Sequence, residues 1–206
     1  MTDTFRRIAA PVALLAAAGS VVFTITFALY VRESYRWALW TSTITRIVVG
    51  LLLVVVFVAL QALVRDREPD LARVAAGIGI VAALASVIHG AYDLADLAKP
   101  QHRNPSFASE IDPRGFATFA LVGLAILLFA WLARSAAALP SWTTIAGFAA
   151  GVLLVIMWLG RMIAFDPNDD VIRVAALASG LVAVPAFEVG LAGRLRTQPD
   201  GLSERR

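Results

Sequence analysis

Six times along this 206-residue chain an apolar run continues for the length of a bilayer crossing. The hydrocarbon layer is about 30 Å thick and a helix rises about 1.5 Å per residue, so roughly 20 mostly apolar residues span it. Runs of that length lie at 8–31, 44–64, 71–97, 115–133, 141–165 and 171–195. Polar residues are confined mainly to short connectors and the two tails. The expected fold is therefore all-α: a polytopic transmembrane bundle of six helices making one domain over 1–195, with a short polar tail at 196–206.

Composition supports lipid as the solvent. The chain is 59% hydrophobic and 16% charged, whereas soluble domains are about 45–50% apolar and about 25% charged. Its mean hydropathy is +0.76. All of its 18 basic residues except Lys99 are arginine, against 15 acidic residues. The arginines stand singly or in pairs at the ends of apolar runs, where they anchor helices and set orientation. No dense basic cluster exists, so nucleic acid is not an expected partner; the lipid bilayer is. The absence of cysteine excludes disulfides, thiolate metal sites, cysteine nucleophiles and c-type haem attachment.

The first run follows Arg6 and Arg7 and contains Ala16, Ala17 and Ala18, features shared with secretory signals. Its unbroken length of about 24 residues exceeds the apolar region of such a signal and suffices to span. The connectors carry stop signals: RDREPD at 65–70, Pro140 ahead of Ser141, and DPNDD at 166–170. Links this short make neighbouring helices antiparallel. Only the 98–114 connector is long, and Pro100, Pro105 and Pro113 make it an extended loop able to cover a pocket mouth. Ten Lys and Arg residues fall on the side of the tails and eight opposite; setting aside Arg46 and Arg161, placed within helix ends, leaves ten against six. Both termini are thus expected on the cytoplasmic side of the membrane.

Chemistry concentrates on the third helix. Ser86, His89, Asp93 and Asp96 follow at spacings of three, four and three, so one stripe carries them all. Arg46 is expected to open the second helix, Arg161 to end the fifth and Arg173 to begin the sixth, all at the outer face with His89 and Asp93. A charge near hydrocarbon costs a few kcal/mol unless it pairs, hydrates or snorkels, so these groups have reason to converge. His89 and Asp93 at i and i+4 can hydrogen-bond, an arrangement suited to a general base, a proton relay, a metal site or a polar cap that orients a ligand. A metal is not expected: His89 has only Asp93, Asp96 and His102 as company, short of a convincing transition-metal set. Arg161, three residues after Trp158, is suited to a carboxylate or phosphate, and its intramolecular partners would be Asp93, Asp166, Asp169 or Asp170.

Glu188 stands apart in the inner half of the sixth helix, three residues after Pro185. Proline frees a carbonyl near Leu181, and a carboxyl group beside such a break is suited to ion or proton coupling. Its structural alternative is a bond to neighbouring backbone, or a pair with Arg7 or Arg73. No G-x-S-x-G elbow or phosphate-cradling glycine loop occurs, a two-histidine haem site fails for want of a second helical histidine, and the sole lysine lies in a loop. No cofactor is expected.

The segments RRIAAPVALL near the start, LPSWTTIAG at 139–147 and VPAFEVGLAGRL at 184–195 resemble a group of bacterial six-span integral membrane proteins of unknown function. The likeness lies in a proline-tryptophan entry to the fifth helix and a proline followed by glutamate in the last. It implies a helical bundle, singles out Pro185 and Glu188, and supplies no activity. Three functions fit the residues. The first is an outer-leaflet pocket, roofed by the 98–114 connector, that binds a small or amphiphilic ligand through Arg161, His89 and Asp93. The second is a proton-coupled small-molecule transporter using Glu188 and the His89/Asp93 pair. The third is a membrane-embedded enzyme acting on a lipid or isoprenoid, with His89 or Asp93 as acid or base.

Overall fold

A computed structural model describes residues 1–98, 114–164 and 170–197, the side chains of 161–164 lying outside that description. Its elements are α1 (Asp3–Glu33), α2 (Arg36–Val64), α3 (Pro69–Ala98), α4 (Phe116–Ser135), α5 (Ser141–Ala164) and α6 (Asp170–Thr197). Each contains a segment long and apolar enough to cross a membrane. Consecutive helices pack together and α1 closes against α6, so the six form a ring of antiparallel neighbours. One end, here the tail end, gathers the start of α1 and the finish of α6. The opposite, loop end carries the 33–36, 98–116 and 164–170 connections.

The helices are sorted by what they face. Leu15, Ile88, Ile145 and Val182 are exposed, an arrangement that water would penalise and lipid does not. The interior is alanine-rich, with the large side chains Phe57, Leu60, Phe129, Leu132, Phe187 and Leu191 filling it; Phe57 and Phe129 stack with centroids 6.1 Å apart. With no hydrophobic drive between helices in lipid, small residues set how closely backbones approach. A Cβ on Gly123 would lie 2.8 Å from the Gly151 carbonyl oxygen, and one on Gly90 would lie 2.7 Å from Ile47 Cγ1 and 3.1 Å from the Thr43 carbonyl oxygen. The second contact sets the α2/α3 spacing beside the polar stripe.

Two helices depart from the α pattern. Phe116–Ala120, opening α4, and Ser179–Ala183, inside α6, are π-helical. The latter ends just before Pro185, which cannot donate and whose ring would crowd the preceding turn, so the widened turn absorbs the break expected near Leu181. α2 starts at Arg36, eight residues ahead of the predicted 44. The stretch RWALWTST lies outside the predicted span, yet Thr41 donates to the Trp37 carbonyl (2.9 Å) and Ser42 to that of Leu39 (2.9 Å), so its hydroxyls are satisfied inside a helix.

Candidate functional site

That earlier start changes where Arg46 sits. It does not open α2 but lies ten residues, about 15 Å, below its first residue. A helix of 29 residues is about 43 Å long, exceeding the hydrocarbon by roughly 13 Å. Arg46 therefore lies well inside the apolar layer if the excess is shared between the ends, where a bare guanidinium costs about 3 kcal/mol.

The fold answers with company from three other helices. From α3, Asp93 Oδ2 accepts from Arg46 Nη1 at 3.0 Å, and its Oδ1 accepts from Arg114 Nη1, leading into α4, at 3.1 Å. One carboxylate thus takes a guanidinium on each oxygen, a charge-assisted and partly buried arrangement. On its other side Arg46 lies over the α1 rings of Phe23 (4.9 Å to the centroid) and Phe27 (5.9 Å). Arg114 lies over Tyr92 at 4.7 Å. Both cations are held by a carboxylate in line and a π face alongside.

His89 completes the cluster. It is buried, while Ile88 beside it faces outward, as a rotation of 100° per residue requires. Its Nε2 is 3.7 Å from Asp93 Oδ2, and its Nδ1 is 3.4 Å from Thr118 Oγ1 in the π-helical turn of α4. The Thr118 hydroxyl has one hydrogen, directed to the Arg114 carbonyl at 2.9 Å. With that hydrogen on the carbonyl, the hydroxyl offers His89 a lone pair, which suits an Nδ1–H tautomer. Nε2 then carries a second proton towards Asp93 only when the ring is cationic. The arrangement links the protonation state of a buried imidazole to a carboxylate that also holds two arginines.

The predicted site residues divide as follows. Arg46, His89 and Asp93 converge. Asp96, one turn further along α3, has a buried Oδ2 with no hydrogen-bond partner among the described residues. Ser86 is buried, but its hydroxyl is spent on the Ala82 carbonyl at 3.0 Å. Arg173 pairs with Asp170 at 2.6 Å on an exposed surface. The side chain of Arg161, with His102, Asp166, Asp169 and the loop expected to roof the site, lies outside the described residues. Glu188 lies away from the cluster in α6, 1% exposed, with both carboxyl oxygens buried and without a hydrogen-bond partner among the described residues. Neither structural alternative for it holds, since Arg73 pairs with Asp70 and Arg7 is exposed.

Arg114 and Thr118 were not anticipated. Both adjoin the proline-rich connector, where Arg114 reads as a loop residue; their i, i+4 spacing, matching that of His89 and Asp93 on α3, is the signal that marks them. Among the described residues no three His, Asp or Glu side chains group closely enough to hold a metal ion. Two clefts lie at the tail end, away from this cluster. No protein-family model, curated protein or solved structure matches the chain.

Proposed function

We propose that this multi-pass membrane protein binds a small or amphiphilic ligand at the loop end, its polar head met by Arg46, His89, Arg114 and Asp96. The carrying observation is the meeting of charged side chains from α2, α3 and the start of α4 at one carboxylate. Asp96 adds an acceptor with no donor of its own, the kind of group that a ligand hydroxyl or amine would satisfy. Asp96 also separates recognition from scaffolding. Mass spectrometry of small molecules and lipids retained through gentle purification should show a species lost in Asp96→Asn while the unfolding midpoint holds. An identical retained set in wild type and Asp96→Asn would leave the cluster as a structural clamp and overturn the reading.

A second reading, proton-linked transport, is favoured by Glu188. A carboxyl group with both oxygens buried and undonated, about 13 Å from the end of α6, is expensive as packing alone. It would be explained by a proton or small cation that comes and goes. Glu188→Gln in proteoliposomes should abolish substrate uptake driven by a pH gradient; unchanged flux removes the reading.

A further inference from the structure

At the tail end a cleft of about 430 Å³ opens between the first turns of α1 and the last turn of α6, lined by Arg6, Arg7, Ala10, Pro11, Leu195 and Arg196. Its chemistry is split by depth. Ala10 and Leu195 form a buried floor, Pro11 is exposed on the lipid-facing flank, and three guanidinium groups surround the mouth. Arg6 is buried and pairs with Asp3 at 3.3 Å. Arg7 and Arg196 are exposed, and neither meets an acidic side chain among the described residues. Pro11 has no N–H, so the Arg7 carbonyl loses its usual helical donor and remains an acceptor at the same cleft.

The depth matches a lipid headgroup. α1, with 31 residues, is about 46 Å long, and sharing its excess over the hydrocarbon between both ends puts roughly 8 Å beyond the apolar layer at each. Arg6 and Arg7 lie three and four residues into the helix, and Arg196 is one residue from the end of α6. All three therefore stand at the level of phosphate esters, with Pro11, eight residues into α1, towards the acyl chains.

We propose that this cleft is a binding site for the headgroup of an anionic phospholipid. Its phosphate engages Arg7 and Arg196 beside the buried Arg6, a headgroup hydroxyl donates to the Arg7 carbonyl, and the first acyl carbons lie on Pro11. The site is independent of the loop-end cluster. Arginine is suited to this role because its planar fork meets two phosphate oxygens at once. Basic pockets between transmembrane helices hold such headgroups for that reason.

The test uses the full chain in phosphatidylcholine nanodiscs with or without phosphatidylglycerol, with native mass spectrometry counting retained lipids. The wild type should retain phosphatidylglycerol in preference to phosphatidylcholine. The double substitution Arg7→Gln/Arg196→Gln should weaken that retention by roughly 30-fold, taking each guanidinium at a typical value. Arg73→Gln, the same kind of charge loss at the same end but outside the cleft, should leave it unchanged. Equal loss in Arg73→Gln would mean general surface charge, and equal retention of the two lipids in wild type would mean no recognition; either overturns the proposal. So would inorganic phosphate displacing the lipid at equal concentration, because the apolar floor would then contribute nothing.

Discussion

The two ends of the bundle use arginine in opposite ways. At the loop end, Arg46 and Arg114 are tied to Asp93 and laid over aromatic rings; at the tail end, Arg7 and Arg196 rim a cleft with no acidic partner among the described residues. Depth explains the difference. With each helix's excess length shared between its ends, Arg46 lies below the headgroups and must find its partner within the protein, whereas Arg7 and Arg196 fall where water and phosphates supply one. A guanidinium inside the hydrocarbon is thus held first by a carboxylate of the protein, so a ligand meets it already paired, whereas the same group a few ångströms further out can take a ligand phosphate as its first partner.

The sharpest way to break this contrast is to remove Asp93. Breaking a buried ion pair costs about 3–5 kcal/mol, because the remaining charge is stranded. Here the carboxylate is 26% exposed, so partial hydration lowers the expected cost of Asp93→Ala to about 2–3 kcal/mol. Arg7→Gln/Arg196→Gln should stay within about 0.5 kcal/mol of wild type, as exposed substitutions do. Chemical unfolding in detergent micelles measures both. Similar destabilisation at the two ends would erase the distinction.

A smaller effect is expected from backbone spacing. An alanine at Gly90 would press on Ile47 Cγ1 and the Thr43 carbonyl. Ile47 follows Arg46, so relief of that clash pushes α2 away and loosens Arg46 from Asp93. Gly90→Ala should cost about 1–2 kcal/mol, typical of overpacking. At the tail end, Gly193 has nothing within 4 Å of an added Cβ. Gly193→Ala should therefore be neutral or gain up to about 1 kcal/mol from helix propensity. If Gly90→Ala unfolds at the wild-type midpoint, the close α2/α3 approach does not hold the cluster together.

These cases also show how far the sequence could be read. Six spans were legible because lipid burial demands run length, and each predicted span overlaps a helix. The start of α2 was not, because its serine and threonine hydroxyls look like loop chemistry until they bond back to helix carbonyls. His89 and Asp93 were legible as a pair from their spacing on one helix. Which other helices bring Arg46 and Arg114 to them is a matter of packing angle and register, which hydrophobic pattern does not encode. Arg114 was further hidden by its position at the edge of a proline-rich connector. Glu188 could be seen as anomalous in the sequence, but its lack of any hydrogen-bond partner requires the packed helices around it.

The smallest expected energy belongs to Thr118→Val, yet it probes the contrast most finely. Valine keeps the volume and removes the one hydroxyl between Arg114 and His89. A single hydrogen bond contributes about 0.5–1.5 kcal/mol, and the 3.4 Å separation from Nδ1 places this one at or below the lower bound. Its larger consequence is for the imidazole. With Thr118 accepting from Nδ1, that nitrogen is protonated whether the ring is neutral or cationic. Without the hydroxyl, a neutral His89 loses that acceptor, which favours its proton on Nε2, towards Asp93. Nitrogen chemical shifts of the labelled ring, followed with pH, should show protonated Nδ1 throughout in the wild type and a shift towards the Nε2–H tautomer in the variant. A wild-type ring already in the Nε2–H form would mean that His89 donates to Asp93 at rest, and that the loop end is a fixed clamp on all sides rather than a cluster with one proton left to give.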